Sequence, residues 1–581
     1  MSVPLAGAQL RSASEEALAR RRSKPRKLLR GRRNALAAHP APRLLWFIRA
    51  LAMPVLPKSF IVLGAGLQTA RTRRQLRRRQ TSVPAQSTAF RSLIARFART
   101  EFGRDHGIEA SLDYARFRDR VPLRSYEQFA PYLDRMKRGE ADVLWPGQCS
   151  FYAISSGTTA ERAKWLPITG EMLAHFREAE LASLFFYTAR VGNAGVFRGR
   201  HLFLGGATAL SPVPAAKPFA AFSGDLSGIT ALSRPAWAER HLYEPGPEIA
   251  QMTDWTQKIQ AIVDRTRRRN ITLLAGVPSW LLMLGDALRE AEARSGRRIA
   301  HLQELWPNLE CLVHGGVPLA PFADELRRAV GPSVNFHEIF PAAAGFIAAQ
   351  DADSSAGLRL FADKGLFFEF LPCRDYDPAL PPNLGAKAVP LEQVRVGEDY
   401  VLLLTTPAGL CRYALGDVVR FTSVEPPRLI YVGRTKLQLN AFGEHAIEKE
   451  LTDALVAVCQ RHHWTITNFH VAPLAVNSLT GQQRGRHEWW IELKPGTVET
   501  PTGPLLAGQI DTELMARNGD YATKRKTGAL EAPFVRLVMP GFFEHWLRHH
   551  GKLGGQHKMP RCRSDREIAD ELSAMACFNA D

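Results

Sequence analysis

Apolar residues recur at helical spacing in several stretches of the first third of the chain. The spacing predicts a core-facing helix over residues 90–98 and an aromatic-rich helix over residues 171–187. Residues 126–138 also have helical spacing, and Pro131 predicts a break into two short pieces there. From about Ser87 onward the pattern is that of a compact domain.

Three apolar runs of strand length each end in a glycine-containing turn. They are residues 201–204 before Gly205-Gly206, residues 271–275 before Gly276, and residues 309–313 before Gly315-Gly316. Amphipathic helices are predicted from about residue 280 and from about residue 321. This alternation indicates parallel α/β layering, in which ligands bind beyond the carboxyl ends of the strands. The turns and the polar loop after residue 154 are therefore predicted to share one crevice.

The pattern changes over residues 366–434, where short strands follow one another as in an antiparallel meander. After Thr435, helices and strands segregate, as in an α+β domain. We expect an α/β fold with a large multi-layer N-terminal domain of parallel α/β sheets plus the meander, and a smaller α+β C-terminal domain. The predicted boundaries are 1–85 for a basic, partly disordered leader, 86–434 for the N-terminal domain and 435–581 for the C-terminal domain.

The net charge is concentrated in the leader. Residues 1–80 hold 19 Lys or Arg residues and two acidic residues, whereas the remaining 501 residues carry a net charge of only +2. Such a leader is typical of a targeting segment, a membrane-surface anchor, a nucleic-acid arm or a disordered extension, and we favour the extension. Residues 44–70 are apolar but interrupted by charges and prolines. They predict an amphipathic helix on the domain or on a membrane surface rather than a spanning helix.

The seven cysteines are widely spaced and contain no CxxC pair. This pattern indicates a reducing compartment, so we expect a cytoplasmic protein that uses cysteines as small core residues. The histidine pairs at 462–463 and 549–550 have no cysteine or carboxylate at metal-ligand spacing, and no protein metal site is predicted.

Two features carry nucleotide chemistry. Residues 155–159 place four hydroxyl side chains around one glycine, ahead of Lys164. Such a loop suits nucleotide phosphates, although the Walker spacing is absent and similar runs are commonly plain surface turns. Gly416-Asp417 and Gly433-Arg434 offer a carboxylate that can accept both ribose hydroxyls and an arginine that can bind phosphate. Gly-Asp alone, however, is usually only a turn.

Six motifs occur in one order: SSGTT followed by a lysine, GVPSW, HGG, RYALGDV, GRTK and GGQHKMPR. Over roughly residues 85–575 this set resembles the Gretchen Hagen (auxin-responsive promoter) family of acyl-acid amido synthetases, in the adenylate-forming superfamily. The resemblance implies that a carboxylic acid reacts with ATP to give an acyl-adenylate and pyrophosphate. An amine, commonly an amino acid, then displaces AMP. It also implies a small C-terminal domain that swings between the two steps.

The resemblance implies roles for individual residues. The phosphate loop corresponds to Ser155, Ser156, Gly157, Thr158, Thr159 and Lys164. The other implied nucleotide-binding residues are Gly315, Gly316, Phe340, the ribose-binding Asp417 and the hinge residue Arg434. Lys558 corresponds to a lysine that reaches the α-phosphate, where a cation stabilises developing charge; the alternative is a solvated surface lysine. The implied catalytic residues are Lys558, Thr158 and Arg434.

One pair of positions departs from the family pattern. Where the family has Ser-Glu or Thr-Glu, this chain has Ala343-Ala344. Alanine can neither ligate Mg²⁺ nor accept a hydrogen bond, and losing one such group commonly costs about 10²–10³ in rate. Glu338 lies six residues earlier, about 20 Å along a strand, too far to substitute without a turn. Either Mg²⁺ is held mainly by ATP phosphates and water, or adenylation is crippled.

The sequence therefore predicts a carbon–nitrogen bond-forming ligase that uses ATP and Mg²⁺. Its expected substrates are a small carboxylic acid and an amine, foremost an amino acid. We expect a monomer without a nucleic-acid partner, and weak contact of the leader with a membrane surface remains open. Two other functions also remain open: a degenerate member that still binds nucleotide, and an adaptor that binds a membrane or nucleic acid through the leader.

Overall fold

The computed structural model describes residues 57–77, 82–155, 164–214, 219–231, 234–316, 319–435, 438–439, 444, 446–477, 483–494, 500–528, 530–550, 559–563 and 565–578. The helices up to residue 250 are α1 (Lys58–Arg77), α2 (Val83–Phe97), α3 (Glu101–Asp105), α4 (Tyr114–Arg120), α5 (Tyr126–Lys137), α6 (Gly170–Val191), α7 (Leu226–Ala231), α8 (Ala236–His241) and α9 (Pro247–Ala250). The later helices are α10 (Trp255–Thr266), α11 (Pro278–Arg294), α12 (Leu302–Leu305), α13 (Ala323–Val330), α14 (Glu448–Arg461), α15 (Gly503–Arg517), α16 (Gly519–Lys526), α17 (Phe542–His549) and α18 (Glu567–Phe578).

The strands up to residue 360 are β1 (Phe151–Ser155), β2 (Lys164–Ile168), β3 (Arg200–Leu204), β4 (Ser211–Pro212), β5 (Phe222–Gly224), β6 (Tyr243–Glu244), β7 (Ile271–Gly276), β8 (Cys311–Gly315), β9 (Asn335–Ala342), β10 (Gly345–Ala349) and β11 (Leu358–Leu360). The later strands are β12 (Phe367–Pro372), β13 (Val389–Pro390), β14 (Asp399–Thr405), β15 (Tyr413–Val424), β16 (Pro427–Arg434), β17 (Gln438–Leu439), β18 (Ala446–Ile447), β19 (Ile466–Asn477), β20 (Gln483–Leu493) and β21 (Phe534–Val538).

Twelve strands of the described part form one mixed sheet, in the order β13-β12-β14-β15-β16-β11-β10-β9-β8-β7-β3-β6. Pairing is parallel from β6 to β9 and antiparallel from β9 to β13. The predicted parallel layers and meander are both present, and β9 joins them because it pairs with β8 on one side and β10 on the other. A smaller sheet, in the order β2-β1-β5-β4, carries the start and end of the predicted phosphate loop.

Helix α2 confirms the predicted core-facing helix. Its apolar positions are buried: Phe90, Leu93, Ile94 and Phe97. The buried Gln86 side chain donates to the carbonyls of Ala362 and Leu366 and accepts from the Phe368 N–H, at 2.7, 2.9 and 2.9 Å. These bonds satisfy a buried amide and tie α2 to β12.

The predicted break at Pro131 is wrong, because α5 continues from Tyr126 to Lys137. Phe129, Leu133 and Met136 anchor one face of this helix in the core. Pro131 and Glu127 lie on the exposed face. The proline is therefore accommodated on the exposed side of α5, and core packing keeps the helix whole.

The amphipathic helix of this region was predicted to lie on the domain or on a membrane surface. Helix α1 lies on the domain. It buries Ala65, Thr69 and Thr72, and the Thr69 hydroxyl lies 2.9 Å from that of Thr188 on α6. Residues 44–56 of the predicted amphipathic stretch lie outside the described residues. In the described part of the chain, no helix combines the length and the apolar character that crossing a bilayer requires.

The C-terminal domain is α+β, as predicted. Strands β19 and β20 pair antiparallel and β20 and β21 pair parallel, and helices α14 and α15 share a core with this sheet. The side chains of six of the seven cysteines are described, and all six are free thiols; five of them are buried, as predicted for small core residues.

Candidate active site

An ion pair occupies the hairpin between β15 and β16. Asp417 and Arg434 are opposite each other in the strand register, and the Arg434 Nε donates to the Asp417 Oδ1 at 2.8 Å. The Asp417 side chain is 2% exposed, whereas that of Arg434 is 45% exposed. The charge of Asp417 raises the pKa of Arg434 above its usual value. A fixed carboxylate thus lies beside an accessible guanidinium, as ribose and phosphate groups would require.

The position of Asp417 differs from the predicted turn between strands, since it lies inside β15. The preceding Gly416 has φ +86°, and it lies in an irregularity of the β14–β15 pairing, where Val401 pairs with Val418 but Leu403 pairs with Ala414. Such an irregularity bends a strand and changes where a side chain points. The glycine before Asp417 therefore marks a bulge rather than a chain reversal.

A buried arginine supports the start of this strand. Arg412 has φ +51°, and its Nε and Nη2 bind both oxygens of Glu369 at 3.0 and 2.8 Å. Its guanidinium also donates to the carbonyls of Arg118, Val121 and Gly385, at 2.8, 2.6 and 2.8 Å. All five N–H donors of Arg412 are therefore used. No role was predicted for this residue of the RYALGDV motif, because nothing in the neighbouring sequence distinguishes it from a solvated arginine.

The glycine turn after β8 lies against the strand that carries Phe340. A Cβ at Gly315 would come within 2.3 Å of the Ile339 carbonyl oxygen, so only glycine fits there. Gly316 has φ +77°. The Phe340 ring packs edge-on against Tyr431 of β16, with ring centroids 5.5 Å apart. The described positions of Gly315, Gly316 and Phe340 thus lie together at the carboxyl ends of the parallel strands.

Tyr431 connects this turn to the ion pair. Burial raises the pKa of Tyr431 most, the charges of Glu448 and Asp417 raise it further, and Arg434 lowers it. The Tyr431 hydroxyl is therefore close to the ion pair and to the first residue of α14. In the sequence, Tyr431 can be recognised only as the aromatic residue three positions before Arg434, and no role was predicted for it.

The ends of the predicted phosphate loop are connected through α5 to the strand that carries Asp417. Ser155 and Lys164 pair directly between β1 and β2, while Ser156, Gly157, Thr158 and Thr159 lie outside the described residues. The Lys164 Nζ lies 5.7 Å from the centre of the Tyr126 ring. Burial, then the charges of Glu127 and Asp417, raise the pKa of Tyr413. The Tyr413 ring lies 6.2 Å from that of Phe129 on α5, the helix that carries Tyr126, and Tyr413 begins the strand that contains Asp417.

The predicted catalytic Lys558 also lies outside the described residues, but the chain resumes beside it. The Pro560 carbonyl lies 2.7 Å from the His470 Nδ1, and the Val471 N–H donates to the Arg561 carbonyl at 2.9 Å. These contacts fix the end of the GGQHKMPR motif to β19.

Arg561 joins the two domains. It is 7% exposed and donates to Asn468 at 2.8 Å. Its guanidinium lies 4.6 Å from the Phe469 ring centre and 5.8 Å from that of Phe322, which follows the Gly315-Gly316 turn. Burial lowers the pKa of Arg561 to about 10, against the opposing charge of Glu448. The charge of Glu448 therefore raises the pKa of both Arg561 and Tyr431, and Tyr431 lies three residues before Arg434 on β16.

Ala343 and Ala344, which depart from the family pattern, form the turn between β9 and β10. Ala344 is 2% exposed. Glu338 lies four residues before the end of β9, about 13 Å along the strand, so it does not substitute at the turn. No group of three or more metal-ligating side chains occurs among the described residues.

His175 fixes the strand that follows this turn. Its Nδ1 lies 2.6 Å from the Lys364 carbonyl, and its Nε2 accepts from the Phe346 N–H at 2.9 Å. Burial lowers the pKa of His175 to about 4. A neutral His175 therefore holds the first residues of β10.

Three further groups of residues make contacts that give them a structural role. His314 is buried against Phe336, and burial lowers its pKa to about 4. In the basic triplet at 524–526, Arg525 binds both oxygens of Asp511 at 2.7 Å. The aromatic residues of α6 stack within the core, Phe185 on Phe197 and Phe186 on Phe361.

Three domain descriptions match the chain: the GH3 family N-terminal domain at residues 74–335, the central domain at 359–434 and the C-terminal domain at 449–567. A probable indole-3-acetic acid-amido synthetase of Oryza sativa subsp. japonica is 25% identical, covering 82% of this chain and 90% of its own length. A jasmonoyl–L-amino acid synthetase of Nicotiana attenuata is 22% identical over 82% of this chain and 90% of its own length.

Solved structures show the same fold. An acyl acid amido synthetase in complex with 2,4-DB has a TM-score of 0.71 and 19% identity, covering 90% of this chain and 97% of its own. A 2-hydroxyisobutyryl-CoA ligase, in the postadenylation state with 2-HIB-AMP, has a TM-score of 0.52 and 16% identity, covering 86% and 91%. With its three matched domains and its adenylate-forming fold, the chain belongs to the GH3 family of ligases.

Proposed function

We propose that the chain is an ATP-dependent acyl-acid amido synthetase that activates a small carboxylic acid and transfers its acyl group to an amino acid. The observation that carries this proposal is the Asp417–Arg434 pair, on which three parts of the chain converge. These are the Lys164 end of the phosphate loop, the Gly315-Gly316 turn with Phe340, and the segment that follows Lys558.

In the proposed first step, a carboxylate oxygen attacks the α-phosphorus of ATP, the bond to pyrophosphate breaks and acyl-AMP forms. Asp417 accepts hydrogen bonds from the ribose, and Phe340 borders the base. Arg434, Thr158 and Lys558 stabilise charge on the phosphates. In the second step, an amine nitrogen attacks the acyl carbon, the C–N bond forms, AMP leaves with the electron pair and the amine loses a proton.

We assign no step to protein-bound Mg²⁺, because the turn at Ala343-Ala344 offers it no ligand. Mg²⁺ commonly keeps several waters and binds through the phosphates of its nucleotide. The same turn favours one second candidate, a degenerate member that binds ATP without turnover. The monomeric state and the cytoplasmic location stay predictions.

The substrate class rests on similarity to the relatives, whose names specify indole-3-acetic acid and jasmonoyl–amino acid conjugates. The deciding experiment mixes the protein with ATP, Mg²⁺ and a panel of carboxylic acids, with and without amino acids. Pyrophosphate release and the mass of the amide product are measured. We expect acid-dependent release, an amide only when amino acid is present, and loss of both in Lys558→Ala.

Lys526→Ala, on an exposed end of α16, is the matched lysine control and should keep full activity. No pyrophosphate release over the whole acid panel would contradict the proposal. ATP binding without release in the wild type, with release restored by Ala344→Glu, would instead support the degenerate member.

A further inference from the structure

Helix α1 buries small residues and exposes three large apolar ones, while Ile61 and Val62 are partly buried against the domain. The residues against the domain are Ala65, Thr69 and Thr72, each at most 6% exposed. Phe60, Leu63 and Leu67 are 62, 63 and 59% exposed, and Leu63 and Leu67 border a cleft with Asn193 and Gly195. A surface helix ordinarily turns its large apolar side chains toward the core. This reversed arrangement indicates a second apolar environment at the outer face.

The outer stripe continues into arginines. At 100° per residue, Phe60, Leu63, Leu67, Arg71 and Arg74 fall on one narrow face of the helix. The first half of this face is apolar and the second half is cationic. Apolar residues beside Lys or Arg on one face are typical of helices that lie in a membrane interface.

The surface beside the start of α1 is also cationic. The Lys58 Nζ donates to the Gly199 carbonyl at 3.1 Å. Burial lowers the pKa of Lys58 most, and the charge of Arg200 lowers it further. The pKa of Arg200 is itself lowered by burial and by the charge of Arg269. Arg268 and Arg269 are exposed. The exposed cationic residues on the same face as the apolar stripe are Arg71 and Arg74 at its C-terminal end, and they are complementary to an anionic surface.

We propose that the outer face of α1 docks on an anionic lipid bilayer. Phe60, Leu63 and Leu67 enter the boundary between headgroups and acyl chains, and Arg71 and Arg74 bind lipid phosphates. Nucleic acid would satisfy the arginines but leave the apolar stripe in water, so a bilayer fits both halves of the face. This inference is independent of the proposed catalytic function.

The test is flotation of the full chain with vesicles of phosphatidylcholine alone or mixed in equal parts with phosphatidylglycerol. We expect binding to the mixed vesicles that weakens as salt rises. The triple variant Phe60→Ser, Leu63→Ser, Leu67→Ser should bind at least about tenfold more weakly. Arg71→Gln should weaken binding by about fivefold (about 1 kcal/mol).

The matched control replaces Val396, Leu505 and Met539 by serine; these are 57, 48 and 78% exposed elsewhere on the chain. It should bind like the wild type. Three outcomes would overturn the proposal: no binding to the mixed vesicles, unchanged binding of the triple variant, or binding to duplex DNA but not to vesicles. So would a lower melting temperature or a changed sedimentation coefficient of the lipid-free triple variant, since another segment or a second copy would then cover the stripe.

Discussion

Among single residues, the buried Arg412 is predicted to matter most for stability near the site. Its ion pair with Glu369 is 0 and 1% exposed and every donor is used. Arg412→Met leaves Glu369 buried without its partner, and breaking a buried pair in this way costs about 3–5 kcal/mol. Chemical denaturation measures the free energy of unfolding.

The control is Arg420→Met. Arg420 binds both oxygens of Asp399 at 2.6 and 2.8 Å, but its side chain is 42% exposed. Exposed pairs contribute about 1 kcal/mol or less. Equal losses for the two variants would show that burial does not set the strength of the Arg412 pair.

The sequence predicted Asp417 and Arg434 because each belongs to a short motif with a chemical reason, and Phe340 only through the family resemblance. It did not identify Tyr431, Tyr126 or Glu369. Their roles come from partners distant along the chain, such as the Arg412 bonds to residues 369 and 118. Local spacing carries no information on such contacts.

Among the elements, the end of the GGQHKMPR motif is held by stacking rather than by charge alone. Arg561→Lys keeps the charge but loses the planar contacts with Phe469 and Phe322. A displacement of about 1 Å at a reacting group can cost about 10²-fold in rate. We therefore expect the kcat of pyrophosphate release to fall by up to about 10²-fold, with a smaller change in the KM for ATP.

Arg563→Lys is the control on the same segment, because Arg563 pairs with the exposed Asp565 and Glu567. Its kinetics should stay close to those of the wild type. If both variants lose activity equally, the effect belongs to the segment's general integrity and not to the stacked arginine.

Most helices and strands follow from periodicity, since buried apolar faces decide their type. The exceptions were decided by the tertiary environment. Core contacts of Phe129, Leu133 and Met136 keep α5 whole through Pro131, and a bulge places Asp417 within β15. The direction of the outer face of α1 also depends on which side the domain covers.

For the whole molecule, acid should destabilise the fold through buried neutral histidines. Burial lowers the pKa of His175, His201, His314 and His470 to about 4 and that of His337 to about 3. The unfolded chain takes up these protons near pH 6.5 and the native chain does not. The stability that these histidines contribute is thus fully present above pH 6.5. It is lost toward pH 4, at about 1.4 kcal/mol per pH unit for each histidine.

Burial raises the pKa of Glu310 and Glu338 above 4.5, and these two carboxyls contribute with the opposite sign between about pH 4.5 and their native pKa. The steepest loss is therefore expected between about pH 6.5 and 5. Denaturation at several pH values should show this slope. In His201→Gln, the number of protons taken up on unfolding should fall by roughly one. A free energy of unfolding that stays constant between pH 6.5 and 5 would contradict the neutral assignment.

The sequence also predicted the two-domain α/β architecture, because its parallel and antiparallel parts have different patterns. It did not predict that both parts share one sheet, since the pairing of β9 with β8 and with β10 is a property of the folded chain.

The central claim is that ATP binds beside the Asp417–Arg434 pair, and calorimetry of ATP binding tests it most directly. Asp417→Asn should raise the Kd by about 10–100-fold, as expected for hydrogen bonds to a charged group. Asp399→Asn, which likewise leaves a half-exposed arginine unpaired, should keep the wild-type Kd. An unchanged Kd in Asp417→Asn would contradict the account.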